Sequence, residues 1–406
     1  MEHINLDNEE FQKALQIIQF TRRSLFLTGK AGTGKSTFLR YISETTKKKH
    51  VILAPTGIAA INAGGSTLHS FFKLPFHPLL PNDTRYNVRN MRKTLRYTSE
   101  KCKLLREVEL IIIDEISMVR ADIIDFIDKV LRVYNRNMRE PFGGKQLLLV
   151  GDIYQLEPVV REEDRQLLAP FYHSQFFFDA KVFASLQLVS IELTKVYRQN
   201  NPTFINLLDH IRSSHVTTAD LEMLNRQVGA DIDTSDSSLS ITLSTRRDTV
   251  DYINSTRLAE LDGDATIFDG TIEGDFPENN LPSPLKLELK VGAQVLFVRN
   301  DKEKRWVNGT LGTVTGFSLD VEDSKDAIIY VRTEDGVEFD VEQEIWSNIK
   351  YTFNEKEQKI EESVLGTFCQ FPLRLAWAIT VHKSQGLTFR NVKIDFSGGV
   401  FAGGQT

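Results

Sequence analysis

The stretch that most constrains this chain is SLFLTGKAGTGKSTFLRYISETT, residues 24–46. A short continuous apolar run leads into GKAGTGKS (29–36), which fits GxxxxGK[ST], and a helical segment follows at once. Gly29, Gly32 and Gly34 let the backbone N–H groups of such a loop turn inward on phosphate oxygens, and the helix N-terminus adds its partial positive charge. A strand, this loop and a helix in that order predict a nucleotide site built from Gly29, Ala31, Gly32, Thr33, Gly34, Lys35, Ser36 and Thr37. Lys35 is placed to reach the β and γ phosphates and Ser36 to ligate Mg²⁺.

The same texture continues through the first third. HVILAP (50–55), ELIIID (109–114) and KQLLLVGD (145–152) are further short apolar runs between helical segments. That pattern indicates a parallel sheet covered on both faces. SLSITLST (238–245) followed by RRDTVDYINSTRLAEL repeats it, which predicts a second α/β domain beginning near residue 190. Between about 285 and 368 the texture changes to β-branched stretches separated by Gly, Asn and Asp, with Asp335-Gly336 as a hairpin turn. This reads as an all-β insertion in the second domain, with 263–284 as a connector rich in prolines and glycine-acid turns. PLRLAWAITVHKSQGLT and NVKIDF (391–396) return to α/β texture.

LIIIDE (110–115) supplies an acidic partner for the phosphate loop. Asp114 ends an apolar strand and is placed to hold Mg²⁺ through water. Glu115 is the expected base orienting an attacking water, which favours hydrolysis over mere binding. No guanine-reading NKxD motif is visible, so ATP is the expected nucleotide. GDIYQLEPV (151–159) follows the fourth strand, and Gln155 is expected to reach the γ-phosphate from a neighbouring strand tip.

Composition bounds the partners. The net charge is −6, yet Lys and Arg outnumber Asp and Glu over the first 110 residues, so the acidity lies in the remainder. An uneven sign distribution can build a basic groove on an acidic protein or simply a solvated surface. Cys102 and Cys369 are far apart without CxxC spacing, which argues against a zinc site and for a reducing compartment. No apolar run approaches a membrane span and the N-terminus is acidic, so a cytoplasmic protein is expected.

The ordered series GKAGTGKS, APTGIAA (54–60), TLHSF (67–71), IIIDEIS (111–117), GDIYQLEPV, LTKVYRQ (193–199) and AWAITVHKSQGLTF (376–389) resembles the motifs of superfamily 1 helicases. REPFGGKQLLLVGD (139–152), VNGTLGTV (307–314) and PLRLAWAITVHKSQGLTF (372–389) narrow the resemblance to the Pif-type (petite integration frequency) DNA helicases, in a bacterial member, over residues 6–400. The resemblance implies an α/β fold of two RecA-like P-loop domains, 1–189 and 190–406. It also implies a wedge insertion at about 63–81 and a Src-homology-like barrel at about 285–368. It implies an ATP-driven, Mg²⁺-dependent 5′–3′ translocase, monomeric without ligand, acting on single-stranded DNA, junctions, R-loops or G-quadruplexes. Pro55, Thr56, Gly57 and His69 in the first domain, with Thr380, His382, Lys383 and Ser384 in the second, would contact the strand. Arg198 would be an arginine finger, and Gln385 and Gly386 would approach the nucleotide. SFFKLPFHPLLP (70–81) is either a loop packed on its own core or a wedge with Phe72 or Phe76 stacking on DNA. Lys302, Lys304, Arg305 and Trp306 are expected on a loop that touches nucleic acid.

Three departures from the family pattern stand out. Glu10 occupies the place of an adenine-reading Gln, which leaves Gln12 as the substitute. Glu157 stands where proline is usual. The sequence ends at GGQT, where a further arginine-bearing motif is expected, so a truncated C-terminal end is expected. Two readings besides the helicase stay open on residues alone: an ATP-gated DNA-binding module without turnover, and a generic P-loop enzyme, which would leave 376–389 unexplained.

Overall fold

In the computed structural model, the described residues are 8–75, 77–197, 201–230, 239–278, 281–318, 327–385 and 387–400. The chain divides into two units, Met1–Ile205 with Ile349–Val364, and Asn206–Asn348 with Leu365–Thr406.

The first unit is built on a six-stranded sheet. Its strands are β1 (Leu25–Gly29), β2 (His50–Ala54), β3 (Ser66–Thr67), β4 (Leu110–Ile113), β5 (Gln146–Val150) and β6 (Val189–Leu193), in the order β3-β2-β4-β5-β1-β6. All five pairings are parallel. Successive side chains of a strand face opposite sides, and both sides here are covered, so every residue of β4 and β5 is buried. Leu25, Leu27, Ile112 and Leu148 face helices α1 (Glu9–Phe20) and α2 (Lys35–Thr45). Phe26, Ile111, Ile113 and Leu149 face the long helix Ala121–Asn135. In α1, Asn8 caps the first turn by accepting from the Phe11 N–H at 2.9 Å, and Phe11, Ala14, Leu15 and Ile18 form the buried stripe.

Because β6 pairs with β1 from Leu25↔Val189 to Gly29↔Leu193, residues 190–193 belong to the first unit. The expected boundary at 189/190 therefore moves later, and an edge strand explains the misreading. Four of the five residues of β6 are half-exposed or exposed in alternation, unlike the continuous buried runs of the central strands. The first unit also contains 349–364, from the hairpin formed by Glu344–Asn354 and Lys359–Gln370. Tyr351 is buried in the first core, and its hydroxyl accepts from the Ile52 N–H at 3.3 Å.

The second unit contains a parallel three-stranded sheet, with β7 (Ser240–Ser244) between Ala378–Thr380 and Asn391–Asp395. Helix Arg247–Ala259 flanks it, and Asn254 both donates to the Ala378 carbonyl and accepts from its N–H, at 2.9 Å each. The all-β part starts at Thr266, earlier than expected, because Thr266–Asp269 and Thr271–Gly274 are strands within the anticipated connector. It includes a five-stranded antiparallel sheet that ends on Leu373–Leu375, beyond the expected limit of 368. The hairpin turn at Asp335-Gly336 is present, with Gly336 at φ 79° between Ile328–Thr333 and Glu338–Val341. Trp306 is stacked on Phe297 at 4.5 Å in this core, so it cannot offer its ring to a nucleic acid as expected. Among the described residues no helix is long and apolar enough to cross a membrane.

Candidate functional site

In a doubly wound parallel sheet the carboxyl ends of the strands carry the site. Here the residues after β1, β4, β5 and β6 converge, and these four strands are neighbours in the sheet.

The loop after β1 holds Gly29, Gly32 and Gly34 at φ 150°, 77° and 93°. A side chain at Gly29 would meet the Leu193 carbonyl oxygen at 2.6 Å and Thr33 Oγ1 at 2.7 Å, so the turn has no room for one. Thr33 is buried, and its hydroxyl donates to the Lys30 carbonyl at 2.8 Å, which braces the loop from inside. Gly34 caps α2 in the left-handed region. Lys35 Nζ donates to the carbonyls of Gly29 at 2.6 Å and Lys30 at 3.0 Å. Ala31 and Ser36 are exposed and Thr37 half-exposed, on the loop and first turn of α2. Phe11 of α1 meets Phe38 of α2 edge-on at 4.8 Å, which sets half-exposed Gln12 on the helix beside α2. Glu10 accepts from the Thr194 hydroxyl at 3.1 Å, tying α1 to the segment after β6.

The next two strands bring acids. Asp114 continues β4, its N–H donating to the Leu53 carbonyl at 2.9 Å, and its Oδ1 accepts from the Glu115 N–H at 3.0 Å. Burial pushes the Asp114 carboxyl up to about 6, against the Glu115 N–H and the Lys35 charge, which pull it down. Burial pushes Glu115 up to about 7, helped by Asp114 and Asp152 and opposed by Lys35. Glu115 sits at φ 50°, ψ 44°, a left-handed conformation that costs a non-glycine residue about 1–2 kcal/mol. Asp152, after β5, is buried and accepts from the Tyr154 N–H at 3.1 Å and from Gln155 Nε2 at 3.3 Å. Gln155 is therefore held by a second carboxylate. Gly151 lets this segment pass Ile116, whose backbone N would lie 3.1 Å from any Cβ there.

Two residues that sequence reasoning missed belong to this site. Asp152 contacts Gln155 and raises the Glu115 pKa, and its only signal in the sequence was the Gly-Asp after β5. Tyr197 lies over the loop, its N–H donating to the Gly32 carbonyl at 2.9 Å and its ring near Gly34. A backbone bond between distant segments leaves no trace in residue type. Arg198, next along, lies outside the described residues, as do Gly386 and Phe76.

The residues expected to touch a strand occupy two places. In the first unit, Pro55, Thr56 and Gly57 follow β2, and Thr56 caps the helix Gly57–Ala63 by accepting from the Ala59 N–H at 3.2 Å. His69 follows β3 and is half-buried, and burial together with Arg120 lowers its pKa. In the second unit, Thr380 ends a strand, and Val381–Ser384 forms one helical turn, with the Ser384 hydroxyl donating to the Val381 carbonyl at 2.9 Å. Burial lowers the pKa of His382. Burial, then Arg374 and Arg247, bring Lys383 down to about 8, against Asp251. Gln385 follows this turn.

Phe72 is corrected. It is fully buried and packs edge-on to Phe71 at 4.9 Å, with Leu74 and Leu79 in the same core, so it offers no face for stacking. The aromatic stretch 70–81 is anchored in the core of the first unit on these four side chains.

Comparison with known proteins agrees with this geometry. Residues 5–222 match the family described as PIF1-like helicase, and residues 277–317 match the DNA helicase Pif1, 2B domain. The chain is 35% identical over 410 residues to the ATP-dependent DNA helicase PIF1 of Rattus norvegicus, an alignment covering 98% of this chain and 58% of that protein. It thus spans under two thirds of that relative's length. Bacteroides Pif1 in complex with ADP-AlF4 superposes with a TM-score of 0.84 at 42% identity, covering 95% of this chain and 85% of that one. Bacteroides Pif1 in complex with ADP-AlF3 and single-stranded DNA superposes with a TM-score of 0.64 at 43% identity, covering 98% and 88%. A phosphate loop facing an Asp-Glu pair and a held glutamine, on a chain matched over more than half its length, has one family reading: the chain belongs to the PIF1-like helicases.

Proposed function

We propose that this chain is the motor of an ATP-dependent DNA helicase that moves 5′ to 3′ along single-stranded DNA. The observation that carries the reading is the meeting of Lys35, Glu115 and Gln155 at the ends of adjacent strands, with Asp152 contacting Gln155 and raising the Glu115 pKa. The three positive-φ glycines form a cradle that fits phosphate oxygens, and Ser36 and Asp114 would hold Mg²⁺. Bound Mg²⁺ supplies neutralising charge at the β and γ oxygens. The chain's own part is then specific. Lys35 swings from the loop carbonyls to the phosphates. Glu115, ionised above about 7, orients the attacking water and accepts its proton. Gln155, tethered to Asp152, senses the γ-phosphate, and Arg198 serves as the arginine finger.

On this reading Pro55, Thr56, Gly57, His69, Thr380, His382, Lys383 and Ser384 grip the backbone of one strand, through short polar groups and a cation that read no base. The substrates are single-stranded DNA and its junctions, with R-loops and G-quadruplexes as further substrates. The protein works as a monomer before it meets DNA, in the bacterial cytoplasm. The Bacteroides relative in complex with ADP-AlF3 and single-stranded DNA supports the ligand pair. The test is phosphate release with and without an unstructured oligonucleotide. Several-fold stimulation supports the motor. ATP binding without stimulation refutes it.

A further inference from the structure

The first unit carries a group of cations that the proposed motor does not use. Lys73 follows the helix Leu68–Phe72, Lys101 lies on the helix Ser99–Glu107, and Lys350 lies on the strand Glu344–Asn354. Lys73 and Lys101 border one aromatic cluster, and Lys350 precedes its Tyr351 in the strand. Lys101 Nζ stands 3.2 Å over the Phe71 ring, and Lys73 Nζ stands 6.0 Å from the centre of Tyr97. Phe71 meets Tyr351 edge-on at 6.2 Å, and Lys350 adjoins Tyr351 in the chain. Burial, then the charges of Lys350 and Lys73, bring the Lys101 ammonium down to about 7, as expected of like charges held close together.

Two carboxylates of this surface are engaged elsewhere. Glu107 pairs with Lys49 at 2.7 Å and Glu355 pairs with Lys103. Among the described residues, Lys73, Lys101 and Lys350 make no ion pair. Like charges brought together without a counter-ion cost stability, and an arriving anion relieves that cost. The chemistry also selects the anion. Phe71 and Tyr351 are buried and present no open face to a base, and what the surface offers is the exposed ammonium groups of Lys73 and Lys350 beside a Lys101 that an arriving anion would recharge.

We propose that Lys73, Lys101 and Lys350 form a phosphodiester-binding surface on the first unit that holds the backbone of a DNA substrate without reading its sequence. The inference rests on the proposed DNA helicase function. It deepens that reading by adding backbone contacts beside His69, for a duplex arm or for single-stranded DNA.

The test measures affinity against salt for three probes: an oligo(dT), a blunt duplex, and a duplex with a single-stranded tail. The proteins are the wild type, Lys73→Gln, Lys350→Gln and the double variant. Both lysines are exposed, so folding is not at risk, and Lys101→Met is added where it folds. Each lost phosphate contact should lower the slope of log K against log salt by about 0.9 and weaken binding roughly fivefold at physiological salt. A loss with the duplex probes alone assigns the surface to a duplex arm, and a loss with oligo(dT) alone assigns it to single-stranded DNA. Unchanged slopes on all probes, with the wild type binding DNA, overturn this surface and leave the helicase reading standing. A wild type with no salt-dependent affinity for any probe overturns both.

Discussion

The substitution Glu115→Gln should stop turnover and make the protein more stable, and the structure fixes where in pH the gain appears. Glu115 titrates near its ordinary 4.5 in the unfolded chain and near 7 in the fold, because burial, Asp114 and Asp152 all oppose its charge. Between those values the folded state holds a proton that the unfolded state has lost. Stability therefore falls as pH rises from about 4.5 to about 7, and the whole penalty is in place above that. At about 1.36 kcal/mol per pH unit the gap corresponds to roughly 3 kcal/mol. The carboxylate is only half-buried and water screens part of its charge, which leaves about 2 kcal/mol. Gln keeps the shape without the charge. For a unit of this size 1 kcal/mol moves the melting temperature by about 2–4 °C, so Glu115→Gln should melt about 4–8 °C higher at pH 8. The assay is calorimetric melting of both proteins at pH 8 and at pH 4.5, without nucleotide or Mg²⁺. The difference should shrink sharply at the acid end. A variant no more stable than the wild type at pH 8, or equally stabilised at both pH values, refutes the reasoning.

Lys35→Ala should abolish hydrolysis and weaken nucleotide binding, measured with a fluorescent ATP analogue; normal turnover would remove Lys35 from the phosphate site. His382→Ala should weaken binding to an unstructured oligonucleotide by about 1.5 kcal/mol, roughly tenfold, while ATP affinity holds. Unchanged DNA affinity would make His382 a structural residue. Lys383 loses its proton near pH 8, so oligonucleotide affinity should decline between pH 7 and 9, and Lys383→Arg should flatten that decline. An identical decline in the variant would assign the titration elsewhere. Phe72→Ala should cost about 3–5 kcal/mol by urea unfolding, because the ring fills a closed core. Lost DNA affinity at unchanged stability would show the ring to be a contact after all.

What the sequence made legible was what is local. β1, β2, β4 and β5 are continuous apolar runs because both faces of the sheet are covered, and that pattern needs no knowledge of the partners. The phosphate loop and the Asp-Glu pair follow from the strand ends. The errors share one cause. Phe72 stands in an aromatic, proline-rich stretch that suggests an exposed loop, but composition does not say which way a ring turns. The strands at 266–274 are short and crowded by Gly, Asp and Pro, so turn signals masked them. β6 alternates because it is an edge strand, and so reads as the start of the next domain. Residues 349–364 join the first unit through Tyr351 and Ile52, a contact 299 positions apart.

The carboxyl end of the sheet shows why the fold and the proposed activity are set against each other here. At Glu115 the chain adopts a left-handed backbone without glycine, and two neighbouring carboxylates add their charge to its burial. Either feature alone could be relieved cheaply: glycine would ease the backbone, and Asn at 152 would ease the charge. Glycine would remove the group proposed to orient water, and Asn at 152 would lower the affinity of Glu115 for a proton while loosening the hold on Gln155. On the proposed mechanism the strain and the raised pKa are tied to the same two requirements, a base active near neutral pH and a glutamine held by Asp152. Asp152 meets both at once, which makes it the residue whose replacement should disturb hydrolysis most without touching the nucleotide.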